Sequence, residues 1–175
     1  MLIDVTITYL EMTRPDELVP GRLPPAPVKM KRCEPGSAAL LRSIYDRIGA
    51  PHNWIGRSGW SEGQWDELLA RREVQPWLAW VDQACAGMVE LEVQSGGDVE
   101  ITVFGLVPEF VDEGYGGHVL TLGAQLAWRA ESPEGEATRR VWLHTSSLDH
   151  PHAMPNYERR GFRPFRTERK QRELP

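Results

Sequence analysis

Several residues in the second half of this chain are of types that do chemistry. Glu100 is a carboxylate inside an otherwise apolar stretch, Val99 to Leu106. Desolvation there raises a carboxyl pKa towards what a proton acceptor at neutral pH requires, although an ion pair on a strand face would explain the residue equally well. Gly114-Tyr115-Gly116-Gly117 follows within fifteen residues. A glycine turn between a strand and a helix gathers bare backbone N–H groups and the positive end of the helix around one point, and an anion such as phosphate suits that point. His144 ends the short apolar run RVWLH, and imidazole is the side chain suited to exchanging protons near neutral pH, which makes it an alternative base. His118 stands just after the glycine turn, positioned for phosphates or for solvent. His150 and His152 lie beside Asp149, but no third ligand stands at a recognisable spacing, so no metal is expected.

The elements that must position these groups follow from pattern. Val99 to Leu106 is β-branched, apolar and about one strand long, with Glu100 and Thr102 as its polar members. Pro108 removes a donor and pushes Val107 towards an extended conformation, so the strand stops or splays there. From the glycines to Ala130 an apolar run without strong breakers after Gly123 predicts a helix of three to four turns. Arg140 to His144 predicts another strand. The spacing is not the GxGxxG of a dinucleotide fold, and GxxxxGK[ST] is absent, so nucleotide binding through this turn is a minor alternative.

Two segments in this order, FGLVPEFVDEGYGG and HPHAMPNYERRGF, resemble the GCN5-related N-acetyltransferase (GNAT) family over about residues 76–168. The first supplies Leu106, Pro108, Gly114 and Gly116 at the family's spacing, and the second Ala153, Tyr157, Gly161 and Phe162. Glu100-Ile101 stands where one branch of the family carries its general base. The resemblance implies a single domain over residues 1–175. Its fold is α/β, a central mixed, mostly antiparallel sheet flanked by helices, with two adjacent strands splayed to admit a thioester. It further implies acetyl-CoA as co-substrate, held by Leu106, Val107, Val111, Gly114, Tyr115, Gly116 and Gly117, with His150 and Asn156 nearby. The amide near Leu106 becomes the oxyanion donor, Glu100 the base, directly or through water, and Tyr157 the acid that protonates the leaving thiolate. For Tyr157 the competing role is core packing. The acceptor side, formed in the family by the first two helices and their loop, here means Tyr45, Trp54 and Trp60. A small-molecule or peptide amine is the expected acceptor. An acyl-CoA-binding regulatory module without catalysis is the alternative of a different class.

This sequence departs from the family pattern at Val111, where Arg or Gln is usual, at Asp112 and Glu113, where glycine and basic residues are common, and at His150, where asparagine is usual. Two carboxylates beside a diphosphate weaken its binding.

The remaining chain reads as support. Val5 to Met12 alternates as a strand, and Arg14 to Pro27, with five prolines and a glycine, is a connector. Val28 to Arg32 is a second short strand, and either could head the sheet. A helix from Gly36 to Ile48 ends at Gly49-Ala50-Pro51. HNWIGRSGW reads as a loop, and Ser61-Glu62-Gly63-Gln64 is a capping box opening a helix to about Arg72. Trp77 to Val81 and Ala84 to Val93 form a strand pair. Pro151 and Gly161 bracket a last helix, and Phe162 to Glu168 is a final strand.

At 175 residues, 41% hydrophobic and 26% charged, the composition is that of a globular domain. Net charge −5 argues against nucleic acid, and no apolar run reaches bilayer length, so neither nucleic acid nor membrane is an expected partner. The basic run Arg159 to Arg172 reads as a solvated tail. No basic n-region precedes the first apolar segment, and two cysteines make no disulfide framework, so cytoplasm is the expected compartment. A homodimer is allowed for.

Overall fold

The structure, a computed structural model, describes residues 1–174. Its elements in chain order are β1 (Leu2–Met12), β2 (Lys29–Arg32), α1 (Ala38–Gly49), α2 (Glu62–Ala70), β3 (Val74–Val81), β4 (Ala84–Val93), β5 (Asp98–Leu106), α3 (Gly116–Arg129), β6 (Arg140–Ser146), α4 (Ala153–Arg159) and β7 (Arg163–Glu173). The strands form one seven-stranded sheet ordered β2-β3-β4-β5-β6-β1-β7, antiparallel except for the β5–β6 pair. The mixed α/β sheet expected from the sequence is the observed architecture. The short strand β2 heads the antiparallel series, whereas β1 lies between β6 and β7.

Local chemistry accounts for most element ends. Ser61 accepts from the Gln64 amide while the Gln64 side chain accepts from the Ser61 amide, the reciprocal cap that starts α2. That helix stops at Ala70, two residues before the expected Arg72. β3 begins at Val74, ahead of the expected Trp77, because Pro76 is tolerated: β2 pairs only with Trp77 to Trp80. The missing Pro76 N–H therefore leaves no rung unsatisfied. Pro155, not the expected Pro151, sits in the first turn of α4, where a missing donor costs nothing. Gly161, at φ 101°, ends α4, with the Phe162 amide donating to the Tyr157 carbonyl. β7 runs past the expected Glu168 because it pairs with nearly the whole of β1.

Apolar side chains fill both faces of the sheet. On one face α3 and α4 cover Leu91, Val99, Ile101 and Leu143; on the other α1 and α2 cover Leu78, Met88 and Val103, with Trp65 fully buried. The feature that matters for function lies between β5 and β6. These strands pair only from Asp98–Arg140 to Glu100–Trp142 and then part. The parting coincides with a bulge in the β4–β5 ladder, where Leu91 faces Ile101 but Glu90 already faces Val103, leaving Thr102 as the extra residue. A bulge bends and twists its strand, and here it turns β5 away from β6. Among the described residues no helix is long and apolar enough to cross a membrane.

Candidate active site

The parted strands open a cleft of about 1000 Å³ whose floor is β5 from Ile101 to Leu106. At one end stands the N-terminus of α3, which begins at Gly116. Close contacts crowd this end of the helix, and the backbone-on-backbone approach at Gly21 is the one that requires glycine. A Cβ on Gly117 would lie 2.3 Å from Arg160 Nη1, and one on Gly21 would lie 2.5 Å from the Gly117 carbonyl carbon. The backbone amides at the start of α3 are thus left bare beside two guanidinium-bearing residues of the lining, Arg22 and Arg160. Burial, and then neighbouring Arg159, lower the Arg160 pKa from its usual value. Its Nε is buried without a partner among the described residues. This end has the bare donors and positive charge that a diphosphate requires.

The sequence alone does not place those arginines. Arg22 comes from the proline-rich connector, which docks on α3 through the Gly21 amide donating to Thr121 Oγ1 (2.9 Å). Arg159, Arg160 and Arg172 belong to the basic run read as a solvated tail, yet all three line the cleft. No local signal marks them, because their roles depend on which loops the fold brings together.

Of the residues expected to hold the donor, Leu106, Val111, Gly114, Gly116, Gly117, His150 and Asn156 line the cleft. Val107 and Tyr115 do not. Val107 is fully buried and its amide donates to the Ala86 carbonyl (2.9 Å), so that N–H is already committed. Tyr115 is the residue before α3; its ring is buried edge-on against Phe110.

Glu100 also lies outside the lining. It occupies the last hydrogen-bonded rung between β5 and β6, behind the point where the cleft opens, and is 8% exposed. Gln94 Nε2 donates to its Oε2 (3.1 Å), and Gln94 Oε1 accepts from Trp142 Nε1 (3.0 Å). Its other oxygen stands 3.4 Å from His144 Nδ1. His144 does line the cleft, and its side chain is 46% exposed. The carboxylate thus stands beside one ring nitrogen of a cleft-lining imidazole.

Tyr157 lines the opposite side, 6% exposed, with its ring edge-on to Phe104. Burial, and then Asp149, push its phenol pKa well above the usual value, so the hydroxyl keeps its proton through the neutral range. Asp149 is itself held by Thr145 Oγ1 (2.5 Å) and the Ser146 amide (2.8 Å). Burial lowers the His118 pKa, which keeps that cleft-lining imidazole neutral.

Tyr45 and Trp54 form the wall from α1 and the loop after it. Trp54 Nε1 donates across the cleft to Asp149 Oδ1 (3.2 Å), joining segments 95 residues apart. Trp60 turns away from the cleft. With Tyr45 and Trp65 it surrounds the guanidinium of Arg57, whose carbon lies 5.2–5.3 Å from all three ring centroids. Arg57 makes a bidentate pair with buried Glu90 (2.9 and 2.5 Å), and Thr102 Oγ1 donates to the same carboxylate (2.6 Å).

Solved structures share this fold. A GCN5-related N-acetyltransferase from Kribbella flavida matches 97% of this chain and 58% of its own, at 16% identity and a TM-score of 0.65. A functionally unknown conserved protein from Staphylococcus epidermidis matches 97% and 61%, at 15% identity and the same TM-score. An aminoglycoside acetyltransferase from an uncultured soil metagenomic sample, in complex with sisomicin, matches 75% and 85%, at 13% identity and a TM-score of 0.60. The chain thus spans about three fifths of the length of the first two. No curated protein matches the sequence significantly. The model of the Acetyltransferase (GNAT) family matches residues 41–162, well over half of the sequence, and the chain belongs to that family.

Proposed function

We propose that this protein is an N-acetyltransferase that moves the acetyl group of acetyl-CoA to an amine by direct attack. The observation that carries the reading is the cleft between β5 and β6. It has bare amides and arginines at one end, and an orientable imidazole and a protonated phenol on its two sides. The diphosphate of the donor lies at the α3 N-terminus, and its thioester reaches the splay beside Leu106. The acceptor enters past Tyr45 and Trp54.

In this mechanism His144, held by Glu100, takes a proton from the acceptor ammonium. The freed amine nitrogen attacks the thioester carbonyl carbon, whose oxygen gathers negative charge near the Leu106 backbone. The C–S bond breaks as the tetrahedral intermediate collapses, Tyr157 gives its proton to the departing thiolate, and the second proton on the former amine nitrogen passes to the Tyr157 phenolate, leaving a neutral amide and a restored phenol. Glu100 acts through His144 and is a positioning residue. The aminoglycoside acetyltransferase among the structural relatives makes aminoglycosides reasonable members of an acceptor panel.

The test has two stages. Acetyl-CoA at ~100 times its dissociation constant stabilises the fold by about 2.7 kcal/mol, which raises Tm by roughly 5–10 °C, while ATP does much less. Transfer is then followed as free-thiol release on a panel of polyamines, aminoglycosides and peptides. Equal shifts from ATP, or no shift from acetyl-CoA, overturn the donor. Tight donor binding without transfer to any amine favours the regulatory-module alternative.

A further inference from the structure

Asp112 and His150 are two of the positions at which this sequence departs from the family pattern, 38 residues apart by number. The fold brings them together. Asp112, in the loop before α3, places Oδ1 3.0 Å from Nδ1 of His152 in the loop before α4. The rings of His150 and His152 are 4.9 Å apart between centroids. Ligand-capable atoms of Asp112, His150 and His152 all lie within 4.8 Å of one another. A third loop brings His52, whose ring meets that of His150 edge-on at 5.8 Å.

We propose that Asp112, His150 and His152 form a site for a divalent transition-metal ion on the rim of the cleft. Two imidazoles and one carboxylate are a donor set for zinc, nickel or cobalt, and a poor one for magnesium or calcium, which favour all-oxygen sites. With metal–ligand bonds of about 2.0–2.2 Å, neighbouring ligand atoms sit roughly 3–3.5 Å apart. The Asp112–His152 separation already has that value. His150 must bring one nitrogen inwards; its Nδ1 now accepts from the His152 amide (3.1 Å), a bond the ion replaces if it binds there. The side chains of Asp112 and His152 are 62% and 72% exposed, so an ion reaches them from solvent without any opening of the fold.

Three protein ligands leave coordination positions free. All three residues line the same cleft as Gly116 and Gly117, so a phosphate oxygen of the donor can take one of them. This part rests on the acyl-CoA reading given above. It turns the carboxylate of Asp112, which alone repels a diphosphate, into part of a cationic anchor for it.

The test begins without any donor. Tag-free, metal-stripped protein is titrated calorimetrically with ZnCl₂, with MgCl₂ as the hard-cation control. One equivalent of zinc is expected to bind, and magnesium is not. Asp112→Asn and His152→Ala should each weaken zinc by at least about tenfold, with melting temperatures of the apo proteins unchanged. Absence of stoichiometric zinc binding overturns the site, as does binding that survives both substitutions. The affinity for acetyl-CoA, whose sulfur is blocked, is then measured with and without zinc. Tighter binding with zinc in the wild type, and no gain in the two variants, supports the phosphate bridge. Acetyl-CoA binding that ignores zinc overturns the bridge and leaves the donor reading intact, whereas no acetyl-CoA binding under either condition overturns the donor reading itself.

Discussion

His144 Nδ1 stands 3.4 Å from Glu100 Oε1, and only the histidine faces the cleft. This order assigns proton removal to the imidazole and orientation to the carboxylate. His144→Gln should lower kcat by on the order of 10²–10⁴-fold with little change in acetyl-CoA affinity. Glu100→Gln should cost less, because it removes the orientation of the imidazole and not the base itself. Steady-state kinetics across pH checks both. A Glu100→Gln loss equal to or greater than that of His144→Gln would make the carboxylate the base, acting through water.

Tyr157→Phe should reduce turnover by a factor that does not change with pH across the neutral and mildly alkaline range. The reason is the raised phenol pKa, caused first by burial and then by Asp149. The acid is fully protonated wherever the enzyme is assayed, so no limb of the profile belongs to it. A wild-type rate that falls between about pH 8 and 10 (the roughly two units below the usual phenol value) and a variant that does not would contradict this.

Arg57 and Glu90 form the ion pair whose removal should be felt most in stability. The Glu90 side chain is 2% exposed and that of Arg57 15%. Arg57→Ala strands a buried carboxylate and empties a box of three aromatic rings, at a cost of about 3–5 kcal/mol. Arg57→Met combined with Glu90→Gln removes both charges and should recover much of that loss. Urea denaturation of the three proteins gives the comparison; equal stability of the single and double variants would show that the pair is not coupled.

Cys33 gives a pH dependence of stability. Burial, with smaller contributions from Cys85 and Glu90, raises its thiol pKa from 9.0 to about 11. Below pH 9 the thiol is protonated in both folded and unfolded chains. Between 9 and 11 the unfolded chain gives up the proton and the folded one keeps it, so stability falls as pH rises through that window. Cys33→Ser should flatten this part of the curve. In the folded protein at pH 8, alkylation by iodoacetamide should be far slower than in urea.

What could be read in the sequence was whatever a few adjacent residues decide. Ser61 and Gln64 cap α2 by themselves. Glu100 shows the limit of such reading. Its strand was evident, but whether its carboxylate reaches a substrate depends on where β5 leaves β6. A one-residue bulge at Thr102 sets that point, and alternation along β5 alone does not reveal it. The family resemblance assigns Trp60 to the acceptor side, whereas Glu90, thirty residues on, holds Arg57 against its ring. Arg22 and the pairing of Asp112 with His152 escape such reading for the same reason, since each depends on loop packing.

The pairing of β1 with β7 has a mechanical consequence. The Leu174 amide donates to the Met1 carbonyl (2.9 Å), and the ladder runs from Leu2–Glu173 to Glu11–Arg163 with β7 at the sheet edge. Tension applied between residues 1 and 174 therefore acts across the strands and not along them. It loads one rung at a time, as in opening a zipper, so β7 should peel away at low force while the parted strands that hold the cleft still bear none.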